Sequence, residues 1–312
     1  MLQSIINTIY RYPKSNWQHW QKFGGYFAYK KMLAAEAQMK IAAESIKVPT
    51  PDSSLHTLNV CFLTGKKYWH QTVFCALSLQ KVTEHPVHFT FYDDGTFTET
   101  LIQKYQQQIP NSTFIPLKQI EEKLNIFLPI KKYPYLNHKR QIYKHIRKLT
   151  DIHAGNAGWH LVLDSDMLFW KEPTELIQWL KNPTQPFYMV DIANAYGFPV
   201  PEMGKLANTT IADKINVGVI GLKSEGIDFD NLEYWAKTLE NNFGKSYFLE
   251  QALTAMLIGN QTCEVANPQE YIVYPTQQQV ENKVGTLHHC VDVSKKWYFT
   301  HAWKNLISQI ND

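Results

Sequence analysis

Apolar residues in this chain fall into short runs separated by stretches where they recur every three or four positions. Asn59-Val60-Cys61-Phe62-Leu63-Thr64 is the first compact run, and Gly65 ends it. Helical spacing follows from Tyr68 to about Val82. A second strand is predicted over Val87–Tyr92, closing on Asp93-Asp94-Gly95-Thr96. A helix over roughly Phe97–Gln108 and a strand Thr113–Pro116 continue the alternation, which is the βαβ signature of a mostly parallel sheet in an α/β fold. A long basic helix is predicted from Leu136 to His153. After it, Trp159-His160-Leu161-Val162-Leu163 is nearly all apolar, as in a strand buried on both faces. Phe187–Asp191 and Ile215–Leu222 read as further strands, and Phe229–Asn242 and Tyr247–Ile258 as helices. From Gln269 to Asp312 short apolar runs alternate with polar turns, and no internal repeat is visible.

Ahead of this body the pattern changes. Residues 1–50 read as an N-terminal helical arm, in which Met32, Ala35, Met39, Ala42 and Ile46 form a modest apolar stripe and Glu36 faces Lys40 one turn on. Packing on the main body is the first reading of that stripe; a membrane surface or a partner is the second. Val48-Pro49-Thr50-Pro51 breaks the helix, residues 51–57 form a linker, and 58–312 form the main domain. No run reaches the 18 uninterrupted apolar residues of a spanning helix. Met1–Asn7 has no basic leader region, so a secretory signal is not expected.

Composition narrows the class. Apolar residues make up 44% of the 312, enough for a large core. The 31 Lys and Arg against 28 Asp and Glu give a net charge of +3, which argues against a dedicated nucleic-acid surface. Cys61, Cys75, Cys263 and Cys290 form no Cys-x-x-Cys pair and read as free thiols of a reducing compartment. The expectation is a cytoplasmic chain, with peripheral attachment to the inner membrane surface left open.

The strongest chemical signal follows the most apolar strand: Leu161-Val162-Leu163 runs directly into Asp164-Ser165-Asp166. Open α/β sheets bind ligands at the carboxyl ends of their strands. Two carboxylates so close raise each other's pKa unless a cation joins them, and hard divalent ions take carboxylates together with phosphate oxygens.

With these residues the chain resembles nucleotide-sugar glycosyltransferases of the GT-A fold, and family 8 among them. The resemblance covers roughly residues 58–303. Asp191 stands 27 residues after Asp164, Ile215-Asn216-Val217-Gly218-Val219 is similar to the family's Phe-Asn-Ser-Gly-Val block, and Glu250-Gln251 falls where the family often has Asp-Gln. His289-Cys290-Val291-Asp292-Val293-Ser294-Lys295-Lys296-Trp297 keeps the His, Lys and Trp of a His-x-x-Gly-x-x-Lys-Pro-Trp pattern, with Asp292 at the glycine and Lys296 at the proline.

The resemblance implies a Rossmann-like, mostly parallel sheet with helices on both faces. It implies a metal-dependent transferase that uses a nucleoside-diphosphate sugar, UDP-sugar first, and retains anomeric configuration. The acceptor is not implied. Asp164, Asp166 and His289 would hold Mn²⁺ or Mg²⁺, Asp164 also reaching the ribose, and Lys295 would grip the diphosphate. Arg147, 17 residues before Asp164, would contact the donor, with Arg140 as the alternative. Asp191, Asn216, Glu250 and Gln251 would orient the sugar, Glu250 or Gln251 beside the anomeric carbon. Thr64, Gly65 and Asp94 lie at strand ends where the base would sit, with Tyr68 or Trp69 as a stacking surface. His288 and His289 face opposite ways on a strand, so only one can enter the site; His301 is the substitute. The loop Ala193–Asp213, with Tyr196, Gly197 and Phe198 exposed, would shape the acceptor pocket. An inverting Asp-x-Asp transferase, a sugar nucleotidyltransferase lacking its usual Gly-rich phosphate loop, and a silent GT-A domain binding a glycan or partner are the other readings.

Overall fold

Alternation along the strands divides the molecule into two cores. Val60 and Phe62 of β1 (Leu58–Thr64) join one apolar cluster, whereas Cys61 between them joins the other; Leu161 and Leu163 of β4 (Trp159–Leu163) part from Val162 in the same way. The sheet they belong to is therefore covered on both faces. We describe it from a computed structural model, in which residues 12–311 are described, and side chains from 17 to 308. The start, Met1–Asn7, on which the expectation about a secretory signal rests, lies outside the described residues.

The main sheet runs β3-β2-β1-β4-β7-β6-β8, with β2 at Val87–Asp93, β3 at Ser112–Ile115, β6 at Phe187–Val190, β7 at Ile215–Lys223 and β8 at Glu264–Val265. Strands β1 to β4 are parallel, and β7 runs against both β4 and β6. The carboxyl ends of β1, β2, β4 and β6 thus share one edge with the amino end of β7. The order reverses at β1, which is where a doubly wound sheet opens a crevice. A smaller sheet, β5-β10-β9, is built from Met167–Phe169, Leu287–His289 and Tyr271–Val273, and pairs His289 with Met167.

One irregularity is placed at that edge. Tyr188 of β6 pairs with Ile220, but Met189 pairs with Asn216, so Val217, Gly218 and Val219 bulge between them. The bulge reverses the face that the end of β7 presents, as extra residues in a strand do.

The stripe of the arm is buried: Met32, Ala35 and Met39 of the helix Tyr26–Ala43 enter the same core as β1 and the helix Trp69–Lys81. Glu36 pairs with Lys40 at 2.7 Å. The arm is thereby continuous with the main core.

Three expectations need correction. The basic segment is not one helix from Leu136 to His153. It is a helix Pro134–Ile142, a break at Tyr143, a 3₁₀ turn Lys144–Ile146 and a short helix Arg147–Thr150. The reason is a buried pair: Arg140 donates to both oxygens of Asp151 at 2.6 and 3.0 Å. Along a straight helix those residues would stand about 16 Å apart. Second, the helices Leu117–Phe127 and Val200–Ala207 have no counterpart in the elements expected from the pattern. Third, Tyr196 and Phe198 are buried, not exposed; the Tyr196 hydroxyl donates to Ala212 O at 2.5 Å.

The four cysteines are free, with Cys61, Cys75 and Cys290 buried. Among the described residues no helix is long and apolar enough to cross a membrane.

Candidate active site

The edge opens into a cleft of about 880 Å³, lined by Asp164, Asp166, Asp191, Asn216, Glu250, Gln251, His289 and Lys295 among others. Strand β4 delivers Asp164 and Asp166. Asp164 N–H donates to Gly218 O at 2.8 Å, and Cys290 N–H donates to Asp166 O at 2.9 Å. Thr72 holds the residue between them: its hydroxyl is 2.8 Å from that of Ser165 and 2.6 Å from that of Thr64. The loop is thus fixed on both sides before any ligand arrives.

β10 brings in His289. One oxygen or nitrogen each from Asp164, Asp166 and His289 lie within 4.8 Å of one another. The Nδ1 of His289 is 3.2 Å from Asn216 Oδ1. That oxygen also accepts the Gly218 N–H at 2.9 Å, and Asn216 Nδ2 donates to Asp191 Oδ2 at 2.9 Å. The carboxamide is therefore oriented by partners on both ends, and the proton of His289 belongs on Nδ1. Nε2 is left as a bare lone pair. It is buried and without a hydrogen-bond partner, 3.4 Å from Asp166 Oδ1 and 3.6 Å from Asp164 Oδ2. A lone pair and two carboxylates turned on one point repel each other unless a cation lies between them. The donor set, two carboxylates and one neutral imidazole, fits a divalent ion such as Mn²⁺.

Gly218 makes this approach feasible, since a methyl there would collide with the His289 ring and with Met167 Cε. His288 turns the other way: its Nε2 donates to Val284 O at 2.6 Å and its Nδ1 accepts from Trp170 Nε1 at 2.9 Å. His301 does not line the cleft.

Two lysines flank the carboxylates. Lys295 Nζ stands 3.0 Å from Asp166 Oδ2, and Lys148 Nζ stands 2.6 Å from Asp164 Oδ1. Burial alone would raise the Asp166 carboxyl, but the Lys295 ammonium outweighs it and holds it well below the usual carboxylate range. Burial likewise opposes the Lys148 ammonium, and Asp164 and Glu250 reverse that and push its pKa up. Asp166 raises the pKa of Lys295.

Glu250 differs from these. It is buried, its Oε2 is 4.0 Å from Lys148, and its Oε1 has no partner. Burial pushes its carboxyl up to about 7, against the pull of Lys148. Gln251 Nε2 donates to Asp191 Oδ2 at 3.2 Å. Gln251, Asp191, Asn216 and His289 are therefore linked in one chain of hydrogen bonds.

Other sequence candidates are placed differently. Thr64 is buried behind the loop and does not line the cleft. Gly65 packs under Asp94, where a methyl would strike the Asp94 carboxylate. Asp94 lines the cleft, near Lys144 at 3.7 Å, while Asp93 accepts the backbone N–H groups of Gly95, Thr96 and Phe97. Arg147 is not in the cleft: its Nε donates to Arg140 O at 3.0 Å. Arg140 is held by Asp151. Trp69 is buried against Tyr105, with ring centroids 3.7 Å apart; Tyr68 lines the cleft.

Sequence reasoning missed Lys148, which reads as part of a solvated basic face; its one signal is its place beside Arg147. It also missed Tyr143, whose hydroxyl donates to Tyr247 O at 2.6 Å and accepts the Glu250 N–H at 3.2 Å. Asp292 stands where the resembling pattern has glycine. Its φ of 51° keeps the left-handed conformation that glycine favours, which aspartate tolerates better than most residues. Its carboxylate pairs with Lys22 of the arm at 2.5 Å, and Lys22 and Phe23 wall the cleft.

No protein-family model matches the chain, and no curated protein matches it in sequence. Solved structures do match in fold. Mouse xyloside xylosyltransferase 1, in its apo form, superposes with a TM-score of 0.51 at 12% identity, over 75% of this chain and 97% of that one. The galactosyltransferase LgtC, in complex with donor and acceptor sugar analogues, gives a TM-score of 0.51 at 14% identity, over 80% of this chain and 96% of that one. The bifunctional glycosyltransferase WbbM, in its apo structure, gives 0.51 at 12% identity over 84% of this chain and 53% of its own length. The shared architecture is the GT-A fold, as the resemblance implied.

Proposed function

We propose that the chain is a metal-dependent glycosyltransferase that moves a sugar from a nucleoside-diphosphate sugar, UDP-sugar first, to an acceptor hydroxyl. One observation carries this reading: His289 has its proton fixed on Nδ1 by Asn216 and turns a bare Nε2 on two aspartates at a strand end. The fold shared with xylosyl- and galactosyltransferases supports it.

A divalent ion held by Asp164, Asp166 and His289 would neutralise charge on the departing diphosphate. The rest of the work falls to side chains. Lys295 and Lys148 flank the two aspartates with positive charge, which favours a diphosphate bound and, more strongly, one gaining charge as it leaves. Asp191, Asn216 and Gln251, already bonded to one another, offer a rigid set of donors and acceptors to orient the sugar. The aromatic side chains Tyr143, Tyr247 and Phe248 line the cleft with Glu250.

Retention at the anomeric carbon is carried over from the resemblance. Inversion is the second reading, favoured by Glu250: a buried carboxyl with a pKa near 7 and a free oxygen suits a base that deprotonates an acceptor.

The test is UDP release from a panel of UDP-sugars, with and without Mn²⁺. Release should require the metal and should fall at least about a hundredfold in Asp166→Asn, as for loss of a charge-stabilising group. Equal release in that variant would sink the proposal.

A further inference from the structure

The arm that walls the cleft carries a second surface. Its inward stripe is spent on the core, so any contact with a partner must use the opposite side. On that side Phe27 is 86% exposed, Trp17 58% and Tyr26 44%. Trp20 packs edge-on against Tyr26 at 5.0 Å, and Lys30 lies 5.6 Å over the Tyr26 ring. Ile41, 74% exposed, lies nearly four turns after Phe27 and shares its face of the helix. A water-facing helix gains nothing from such side chains, and exposed aromatic groups in mutual contact, as Tyr26 is with Trp20 and Phe27, mark an interaction site.

Charge says what kind. Residues 1–35 contain Arg11, Lys14, Lys22, Lys30 and Lys31 and no Asp or Glu. Those five cations exceed the +3 of the whole chain, so the remainder is net acidic. Exposed tryptophan, tyrosine and phenylalanine mixed with lysine, and free of acids, match the interface of an anionic bilayer: rings sit among headgroups while ammonium groups meet lipid phosphates. A protein partner or a second copy gives no reason for cations this one-sided on a chain otherwise near neutrality.

Position gives the surface its use. Lys22 and Phe23, on the same arm, line the cleft, and Lys22 ties the arm to the loop that carries Lys295. We propose that the arm docks on an anionic lipid surface through Trp17, Tyr26, Phe27, Lys30 and Lys31, holding the mouth of the cleft against the bilayer, and that the acceptor is a membrane-borne amphiphile whose hydroxyl projects from the headgroup layer. The acceptor half of this proposal rests on the transferase reading; the docking half does not.

The experiment uses the full chain. Wild-type protein is sedimented with vesicles of phosphatidylcholine, and of phosphatidylcholine with one-third phosphatidylglycerol. Binding is expected only to the anionic vesicles, and to fall as salt rises. Trp17→Ser combined with Phe27→Ser, and Lys30→Glu combined with Lys31→Glu, should each weaken binding by about tenfold or more. Both variants should keep the melting temperature and UDP release of the parent, since none of these residues lines the cleft. No wild-type binding, or unchanged binding in both variants, would overturn the docking surface. So would a wild-type dimer that these variants turn into monomers without any vesicle binding. With vesicles made from a natural lipid extract, label from the donor should appear in the organic phase; label confined to water overturns the acceptor class. Vesicle binding without UDP release would instead refute the transferase reading and leave the docking surface standing.

Discussion

Glu250 is the residue whose chemistry is most at odds with its surroundings. Its carboxyl stands near 7 in the folded chain against an ordinary 4.5, because burial penalises its charge more than Lys148 relieves it. A raised carboxyl pKa favours the folded state at low pH. The contribution is full below 4.5 and is lost as pH rises through 7. Glu250→Gln mimics the protonated form at every pH. It should match wild type at pH 4 and exceed it by roughly 3 kcal/mol at pH 8, by urea denaturation. A variant less stable at pH 8 would mean that the carboxylate is held by partners other than Lys148. Residues of this kind are partly legible in the sequence. Asp164 and Asp166 stand out because two carboxylates directly after a run of buried apolar residues call for a cation to hold them there. Alternation lets only one of His288 and His289 enter the site, and the register of the resembling pattern picks His289. Lys148 is not legible: it neighbours Arg147 on one short turn, and which of the two faces the cleft depends on how the chain before them folds back.

That fold-back belongs to the scale of elements. Arg140 and Asp151 are 4% and 0% exposed and bond through two hydrogen bonds. The pair closes the hairpin that carries Lys148 into the cleft. Arg140→Met leaves a buried carboxylate without its cation and should cost about 3–5 kcal/mol of stability. Because Lys148 moves with the hairpin, nucleotide affinity should fall as well, in protein still folded by circular dichroism. A stable variant with unchanged nucleotide affinity would detach the hairpin from the site. Periodicity cannot report such a closure, since the basic residues keep helical spacing on both sides of Tyr143. It also cannot report the bulge at Val217–Val219, which turns Asn216 toward His289 although the run reads as one continuous strand. The sheet itself is legible, because apolar runs and turn residues alternate from Leu58 onward. The helix Leu117–Phe127 is not, since it buries only Ile120 and Leu124.

At the scale of the molecule, two sheets meet at one edge, and each supplies part of what a bound cation needs. The carboxylates come from the end of β4, the imidazole from β10, and the group that fixes the imidazole proton from the end of β7. No single segment holds the site, so its members show in the sequence as a constellation of short motifs and not as one. The arm completes a wall of the cleft through Lys22 and Phe23, a contact that nothing in its own sequence announces.

The central claim is that His289, with Asp164 and Asp166, holds a divalent ion. Electron spin echo spectroscopy of Mn²⁺ added to the purified protein tests it directly. The account predicts a nitrogen coupling from one imidazole, present in wild type, absent in His289→Gln and retained in His301→Gln. A bound Mn²⁺ with no nitrogen coupling, or one that survives His289→Gln, would contradict it.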